Sequence, residues 1–278
     1  MVLGSGGWDF TVLYDFCLQY HCPDGGGPGP LTMDGAGRLF GVAGGGTHDE
    51  GVVFELVPTA GGSDWNERVL YDFQGTKTGF DPSGALIFDT NGDLYGTTAG
   101  TFNSGAGTVF ELVSGSEGWR HRKLWQFDGT DGGGPRYGVI FGEFGGLYGT
   151  TTGGGGTCNG EPYGTVFKLT PTLDGRWKEE IICGFPDPAD GFYPSSGLTL
   201  DRDGNMYGTT VQGGIGPCYN DCGVVYELTP NANGKWKYNV LHKFVGNSGT
   251  LPPAGNLVLD ENGNLYGAAY GAVYEITP

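Results

Sequence analysis

One hexapeptide recurs five times, and this recurrence constrains the fold more than any other feature of the chain. Its copies are Ala36-Gly37-Arg38-Leu39-Phe40-Gly41, Asn91-Gly92-Asp93-Leu94-Tyr95-Gly96, Phe144-Gly145-Gly146-Leu147-Tyr148-Gly149, Asp203-Gly204-Asn205-Met206-Tyr207-Gly208 and Asn262-Gly263-Asn264-Leu265-Tyr266-Gly267, spaced 53 to 59 residues apart. Nothing is left over between copies, so one small unit is repeated and unrelated domains are not strung together. A single domain over residues 1–278 is expected, with residues 1–7 read as a cloning scar or flexible N-terminus.

The local pattern is that of strands. Short alternating runs such as Arg68-Val69-Leu70-Tyr71-Asp72-Phe73 are frequent, and no window carries apolar residues at helical spacing over three turns. The 58 glycines and 16 prolines, about a quarter of the chain, fall mostly at repeated positions and so read as turns. Each repeat divides into four strands, with tight Asx-Gly turns such as Asp89-Thr90-Asn91-Gly92 that tolerate positive φ. Four-stranded antiparallel units around an axis are the blades of a propeller. The expected fold is therefore all-β, a five-bladed β-propeller of four-stranded antiparallel blades. Strands are lettered A, innermost, to D, outermost. The chain begins with a D strand, residues 8–16, and ends with a C strand, residues 272–277. The N-terminal strand is thus expected to pair with the C-terminal one, closing the ring and covering a sheet edge. Trp8, Trp65, Trp119, Trp177 and Trp236 share one repeat position at the start of strand D, and Phe16, Phe73, Phe127, Phe185 and Phe244 share another at its end. These rings are read as packing between blades rather than as sugar platforms.

Thirty-one acidic against fourteen basic residues give a formal charge of −17. That balance argues against nucleic acid and anionic lipid as partners, and no apolar run approaches the length of a membrane span. Six cysteines, Cys17, Cys22, Cys158, Cys183, Cys218 and Cys222, include two close pairs in glycine-rich loops. They suggest disulfides and an oxidising compartment, so a secreted or cell-surface protein is expected. The first residues are not a signal peptide, and a secretion signal is expected to have been removed. Pairings 17–22 and 218–222 are favoured, with Cys158 and Cys183 left for each other, although six cysteines permit fifteen pairings in all.

The run Leu94-Tyr95-Gly96-Thr97-Thr98, followed by Gly107-Thr108-Val109-Phe110-Glu111-Leu112 and a Trp-led strand, resembles the Gloeobacter/Verrucomicrobia tandem repeat of secreted bacterial proteins. Leu147-Tyr148-Gly149-Thr150-Thr151 with Gly164-Thr165-Val166-Phe167-Lys168-Leu169 is a second copy. The resemblance implies a surface or extracellular location and no particular reaction. Val42-Ala43 in blade 1 and Ala268-Ala269 in blade 5 replace Thr-Thr, which counts against a ligand that needs a complete threonine ring.

In this strand order the D-to-A and B-to-C loops share one face, and the A-to-B and C-to-D turns share the other. The loop face carries the unequal segments, so a site is expected there. Arg136-Tyr137 stands at the start of strand A in blade 3, where other blades have small residues; a guanidinium and a phenol there suit a carboxylate or a sugar. His48-Asp49-Glu50 in blade 1, near Tyr20-His21, suits acid–base work or a divalent metal, although no cofactor is required by the pattern. The B-to-C crossing in blade 5, at Tyr270, is short, which opens a cleft on that side. Asp24, Asp81, Asp131 and Asp190 recur before strand A and are read as turn formers, a subset being candidates for paired catalytic carboxylates. Asp201-Arg202-Asp203-Gly204-Asn205 lacks the distal glutamate of a calcium loop and reads as a hairpin.

The expected function is extracellular binding of a carbohydrate or similar polar ligand on the loop face, through Arg136, Tyr137, His48, Asp49, Glu50 and Tyr270, by a monomer. The alternative is a polysaccharide hydrolase or lyase on the same face, with His48, Glu50, Tyr137 or Asp190 as catalytic candidates. A second alternative is a structural or adhesive repeat module.

Overall fold

The computed structural model describes all residues except 1–9, 62–63, 101–105, 143–144, 156–162, 186–187, 215–221, 232, 246–252 and 270. Blade 1 comprises β1 (Thr32–Met33), β2 (Leu39–Ala43), β3 (Val52–Pro58) and β4 (Trp65–Asp72). Blade 2 comprises β5 (Pro82–Phe88), β6 (Leu94–Thr98), β7 (Thr108–Val113) and β8 (Arg120–Gln126), and blade 3 comprises β9 (Val139–Phe141), β10 (Leu147–Thr151), β11 (Thr165–Pro171) and β12 (Trp177–Gly184). In blade 4 strand A is split into β13 (Phe192–Pro194) and β14 (Thr199–Leu200), followed by β15 (Met206–Gln212), β16 (Val224–Pro230) and β17 (Trp236–Lys243). Blade 5 comprises β18 (Pro253–Leu259), β19 (Leu265–Ala269) and β20 (Ala272–Ile276). All strand ladders inside the blades are antiparallel, and the sheets form a five-bladed propeller with a short 3-10 turn at Pro188–Asp190.

The repeated hexapeptide has a local cause. Asp89 Oδ1 accepts the backbone N–H groups of Asn91 and Asp93 at 2.8 and 2.9 Å, and Asp34, Asp201 and Asp260 repeat the arrangement. This Asx geometry fixes the A-to-B turn, and Gly92 in it takes a φ of 83°. Asp201 is therefore a hairpin residue, as expected. The final glycine of the motif serves packing instead. A Cβ on Gly96 would lie 2.6 Å from Phe110 Cζ, and Gly41, Gly149, Gly208 and Gly267 are each overlaid by an aromatic ring of strand C in the same way.

Between blades the strand-D phenylalanine bears on the strand-C aromatic of the next sheet. Phe73 meets Phe110 at 5.2 Å, Phe127 meets Phe167 at 5.0 Å, Phe185 meets Tyr226 at 5.4 Å and Phe244 meets Tyr274 at 5.2 Å. The tryptophans pack across blades as well: Trp119 lies 6.5 Å from Phe40 and Trp236 lies 6.1 Å from Tyr148. Hydrogen bonds also join neighbouring blades, from Thr32 Oγ1 to Leu86 O, from Thr150 Oγ1 to Ser196 O and from Thr199 Oγ1 to Leu257 O. An isolated parallel bridge joins Ala85 to Gly138.

The expected closure by a strand from the N-terminus is corrected. Among the described residues β20 pairs with β19 alone, residues 10–16 join no ladder, and Trp8 lies outside the described residues. The N-terminal segment is held through its side chains to blade 1. Phe16 meets Phe54 edge to face at 4.7 Å, repeating the interblade phenylalanine contact, while Tyr14 Oη and the Cys17 backbone N–H donate to the Asp24 carboxylate. Those contacts seat the segment without using the edge of β20, where Val273 is 83% exposed.

Candidate functional site

On the loop face the chain departs from the repeat, and its backbone is strained there. Six described residues other than glycine adopt left-handed φ: Cys17, His21, Cys22, Asp49, Asp81 and Tyr193. All six lie in D-to-A or B-to-C segments or at the adjoining start of strand A. Each such residue costs about 1–3 kcal/mol unless its surroundings enforce the conformation, and strain of this kind concentrates at functional sites.

Several expected site residues meet. His21 Nδ1 lies 3.8 Å from Asp49 Oδ2, and the Tyr20 ring packs on His21 with centroids 3.9 Å apart. Thr47 Oγ1 and His48 Nδ1 are 3.1 Å apart, and His48 is 3.4 Å from Asp72 Oδ2. Glu50 O accepts the Asp81 N–H at 3.0 Å, and the Asp81 carboxylate pairs with Arg136 at 3.2 Å. Arg136 and Asp81 are 45% and 54% exposed, so both stay within reach of a ligand. Tyr137 is more enclosed, and burial raises its phenol pKa. Its backbone passes between Gly84 of blade 2 and Gly197 of blade 4, whose Cβ atoms, if present, would come within 2.5 and 3.0 Å of it. The ion pairs His21–Asp49 and Asp81–Arg136 are thus joined across blades 1 to 3 by the backbone at Glu50, which follows Asp49 and accepts the Asp81 N–H. His48 is drawn to Asp72 instead. No group of three or more metal-ligating side chains occurs among the described residues.

The recurrent loop aspartates divide into two kinds. Asp24 and Asp131 accept backbone N–H groups of their own loops, from Cys17 and Asp128. Asp190 instead receives Lys243 Nζ at 2.9 Å, and its carbonyl receives Tyr238 Oη at 2.6 Å. The threonine pairs are buried and committed to the fold: Thr97 bonds Ser83 O, and Thr98 and Thr151 bond Thr108 and Thr165 of strand C.

Cys17 and Cys22 form the expected disulfide. Cys222 is also half of a disulfide, whose other half lies outside the described residues, as do Cys158, Cys218 and Tyr270. The half-buried Cys183 lies with its Sγ 3.6 Å from Gly184 O.

Sequence reading missed the third position of strand D. Glu67, His121, Glu179 and Tyr238 occupy it, each facing the preceding blade and its D-to-A loop. Burial, and then the charge of Asp24, push the Glu67 carboxyl up to about 7. Burial, then Asp131, Glu180 and Asp128, do the same for Glu179, also to about 7. His121 stacks on Tyr71 at 4.6 Å, and burial followed by Lys123 brings it down to about 4, partly opposed by a bond with the Thr78 backbone. Glu67 Oε1, Glu179 Oε1 and His121 Nε2 are buried without a hydrogen-bond partner among the described residues. The signal was present as titratable residues two after the strand-D tryptophan, but alternation alone does not say which blade they face.

The turn face is less uniform than its sequence suggested. A crevice of about 720 Å³ separates blades 2 and 3, and another of about 750 Å³ separates blades 1 and 2. Glu111, nearly buried, receives Tyr95 Oη at 2.8 Å and Arg122 at 2.7 Å within the first.

Two solved structures show the same fold. PorZ, a bacterial surface component of the type-IX secretion system of Porphyromonas gingivalis, is 14% identical over 89% of this chain and 32% of its own, with a TM-score of 0.51. This chain therefore spans about a third of that protein's length. A luciferin-regenerating enzyme is 12% identical over 90% of this chain and 76% of its own, with a TM-score of 0.53. At such identities the likeness is one of fold alone. No curated protein matches the sequence. The repeat itself does find its kind: the Gloeobacter/Verrucomicrobia repeat profile matches residues 3–217, well over half of the chain, and the protein belongs to that family.

Proposed function

We propose that this protein is an extracellular propeller that binds a carbohydrate or similar polar ligand on its loop face. The observation that carries the reading is the pair of ion pairs His21–Asp49 and Asp81–Arg136, linked through the Glu50 backbone, in which His21, Asp49 and Asp81 all adopt left-handed backbone. A planar guanidinium beside a carboxylate offers paired donors and acceptors to vicinal hydroxyls, and its exposure leaves both groups accessible. The Cys17–Cys22 bridge stiffens the loop that carries His21 and agrees with an oxidising compartment. No described helix is long and apolar enough to cross a membrane.

The test is a panel of plant and microbial polysaccharides incubated with the wild type and Arg136→Ala, reading bound protein and soluble products by mass spectrometry. Retention by the wild type, weakened at least tenfold in the variant, supports the reading; equal retention by both counts against the loop face.

An enzymatic reading is favoured by the two raised carboxyls. Glu67 near Asp24, and Glu179 near Asp131, each set a carboxyl raised to about 7 near a second carboxyl, the combination that glycoside hydrolysis uses. New oligosaccharides from the wild type that disappear with Glu67→Gln or Glu179→Gln would establish it. Absence of both binding and products would favour a structural or adhesive module.

A further inference from the structure

The turn face carries a second feature, independent of the loop-face reading. The crevices between blades 1 and 2 and between blades 2 and 3 are repeats of one another, and residues Phe88, Asp89 and Thr90 form the ridge they share. Each is lined by an arginine on strand D that bonds a nearly buried glutamate on strand C: Arg68 meets Glu55, which lies behind it and outside the lining, at 2.6 Å, and Arg122 meets Glu111, itself part of the lining, at 2.7 Å. A tryptophan at the start of the following strand D, Trp119 or Trp177, lines each on the side of the next blade.

Four of the seven arginines in the chain, Arg38, Arg68, Arg122 and Arg176, line these two crevices. In one, Asp34 and Asp89 offset Arg38 and Arg68; in the other, Asp89 and Glu111 offset Arg122 and Arg176. The lining is therefore formally neutral on a chain of net charge −17. Neither an anion nor a cation gains from it. What it offers is aromatic surface beside fixed pairs of planar donors and acceptors, complementary to a pyranose or furanose that has an apolar C–H face and polar hydroxyl edges. The other junctions lack the arginine–glutamate pair: Lys168 of blade 3 stands over the Tyr148 ring, and Asn239 of blade 4 bonds Glu227 in place of an arginine.

We infer that the two crevices are tandem subsites for a neutral linear polysaccharide, which crosses the Phe88–Thr90 ridge and places one sugar segment in each. Two like sites one blade apart select a ligand that itself repeats, and a chain long enough to fill both binds more tightly than a fragment that fills one.

Thr90 is exposed on the ridge and lines both crevices, so Thr90→Trp obstructs both without entering the core. Arg176, whose side chain is 85% exposed, provides a second variant, Arg176→Ala, that does not threaten folding. Calorimetric titrations would use neutral gluco-, xylo- and arabino-oligosaccharides of two to eight units, with oligogalacturonate as the charged comparison. The expected result is affinity for neutral chains that rises at least about tenfold between the shortest and longest. A loss of at least tenfold is expected in Thr90→Trp and a smaller loss in Arg176→Ala, while Arg202→Ala, exposed and outside both crevices, stays unchanged. The inference is overturned if no neutral chain binds, if affinity does not rise with length, if oligogalacturonate binds best, or if Thr90→Trp binds as the wild type does. Loss in Arg136→Ala with Thr90→Trp unaffected would place the ligand on the loop face and refute the tandem subsites alone.

Discussion

Replacing Glu67 and Glu179 with glutamine should stabilise the protein at alkaline pH and leave it unchanged at acid pH. Both carboxyls titrate near 7 in the folded chain, against 4.5 for an unperturbed glutamate. Below the unperturbed value each is protonated in folded and unfolded chains alike, so no difference arises. Between that value and about 7 the folded state holds a proton that the unfolded chain has released, and stability falls as pH rises. Above about 7 the folded state carries a charge that burial and a neighbouring aspartate disfavour, and the full cost is in place. The shift corresponds to at most roughly 3 kcal/mol per group. Because both side chains are partly exposed, solvent screening reduces this to about 1 kcal/mol. Glutamine keeps the shape and never ionises, so each variant should gain about 2 °C in Tm at about pH 8 and nothing at about pH 4. Glu261→Gln, exposed and without influence on either carboxyl, is the control and should change Tm at neither pH. Scanning calorimetry across that range decides the matter. An equal gain at both pH values, or a wild type more stable than its variants at alkaline pH, would refute the reasoning.

Gly96→Ala places a methyl 2.6 Å from the buried Phe110 ring and should cost roughly 1–3 kcal/mol in denaturant unfolding. Gly92→Ala meets nothing within 4 Å and pays only for its φ of 83°, about 1 kcal/mol. Phe127→Ala, which empties the contact with Phe167, should lower stability by roughly 3–5 kcal/mol. Arg136→Ala should change stability by less than about 1 kcal/mol, because its ion pair is exposed, so any loss of ligand retention is not a folding effect. Cys17→Ser opens a loop with a sequence separation of five and should cost about 2 kcal/mol by chain entropy.

The fold was legible because the same local solution recurs from blade to blade. Asp89 and Gly92 fix a turn, Gly96 makes room for a ring, Thr98 bonds strand C, and Phe73 fills the gap between sheets; each role needs one residue type at one spacing. Closure was not legible in the same way. Repeat counting assigns residues 8–16 to strand D but says nothing of which neighbour holds them, and the Asp24 carboxylate and the Phe54 ring engage Tyr14, Phe16 and Cys17 from blade 1.

The site was legible only where it breaks the repeat. Arg136 stood out because every other blade has a small residue there, and the structure supplies the Asp81 partner that sequence could not choose among the excess acids. Glu67 and Glu179 were invisible for the opposite reason: as polar residues on an outer strand they matched the expected alternation, although they are half-buried on the side of the preceding blade and its loop. The turn-face crevices follow the same logic. Their arginines, glutamates and tryptophans are individually ordinary members of the repeat, and only the stacking of one sheet beside another turns Arg122, Glu111 and Trp177 into the walls of one cavity. A repeat protein therefore announces its architecture through what recurs, while its recognition surfaces arise between copies, where residues far apart in sequence are brought edge to edge.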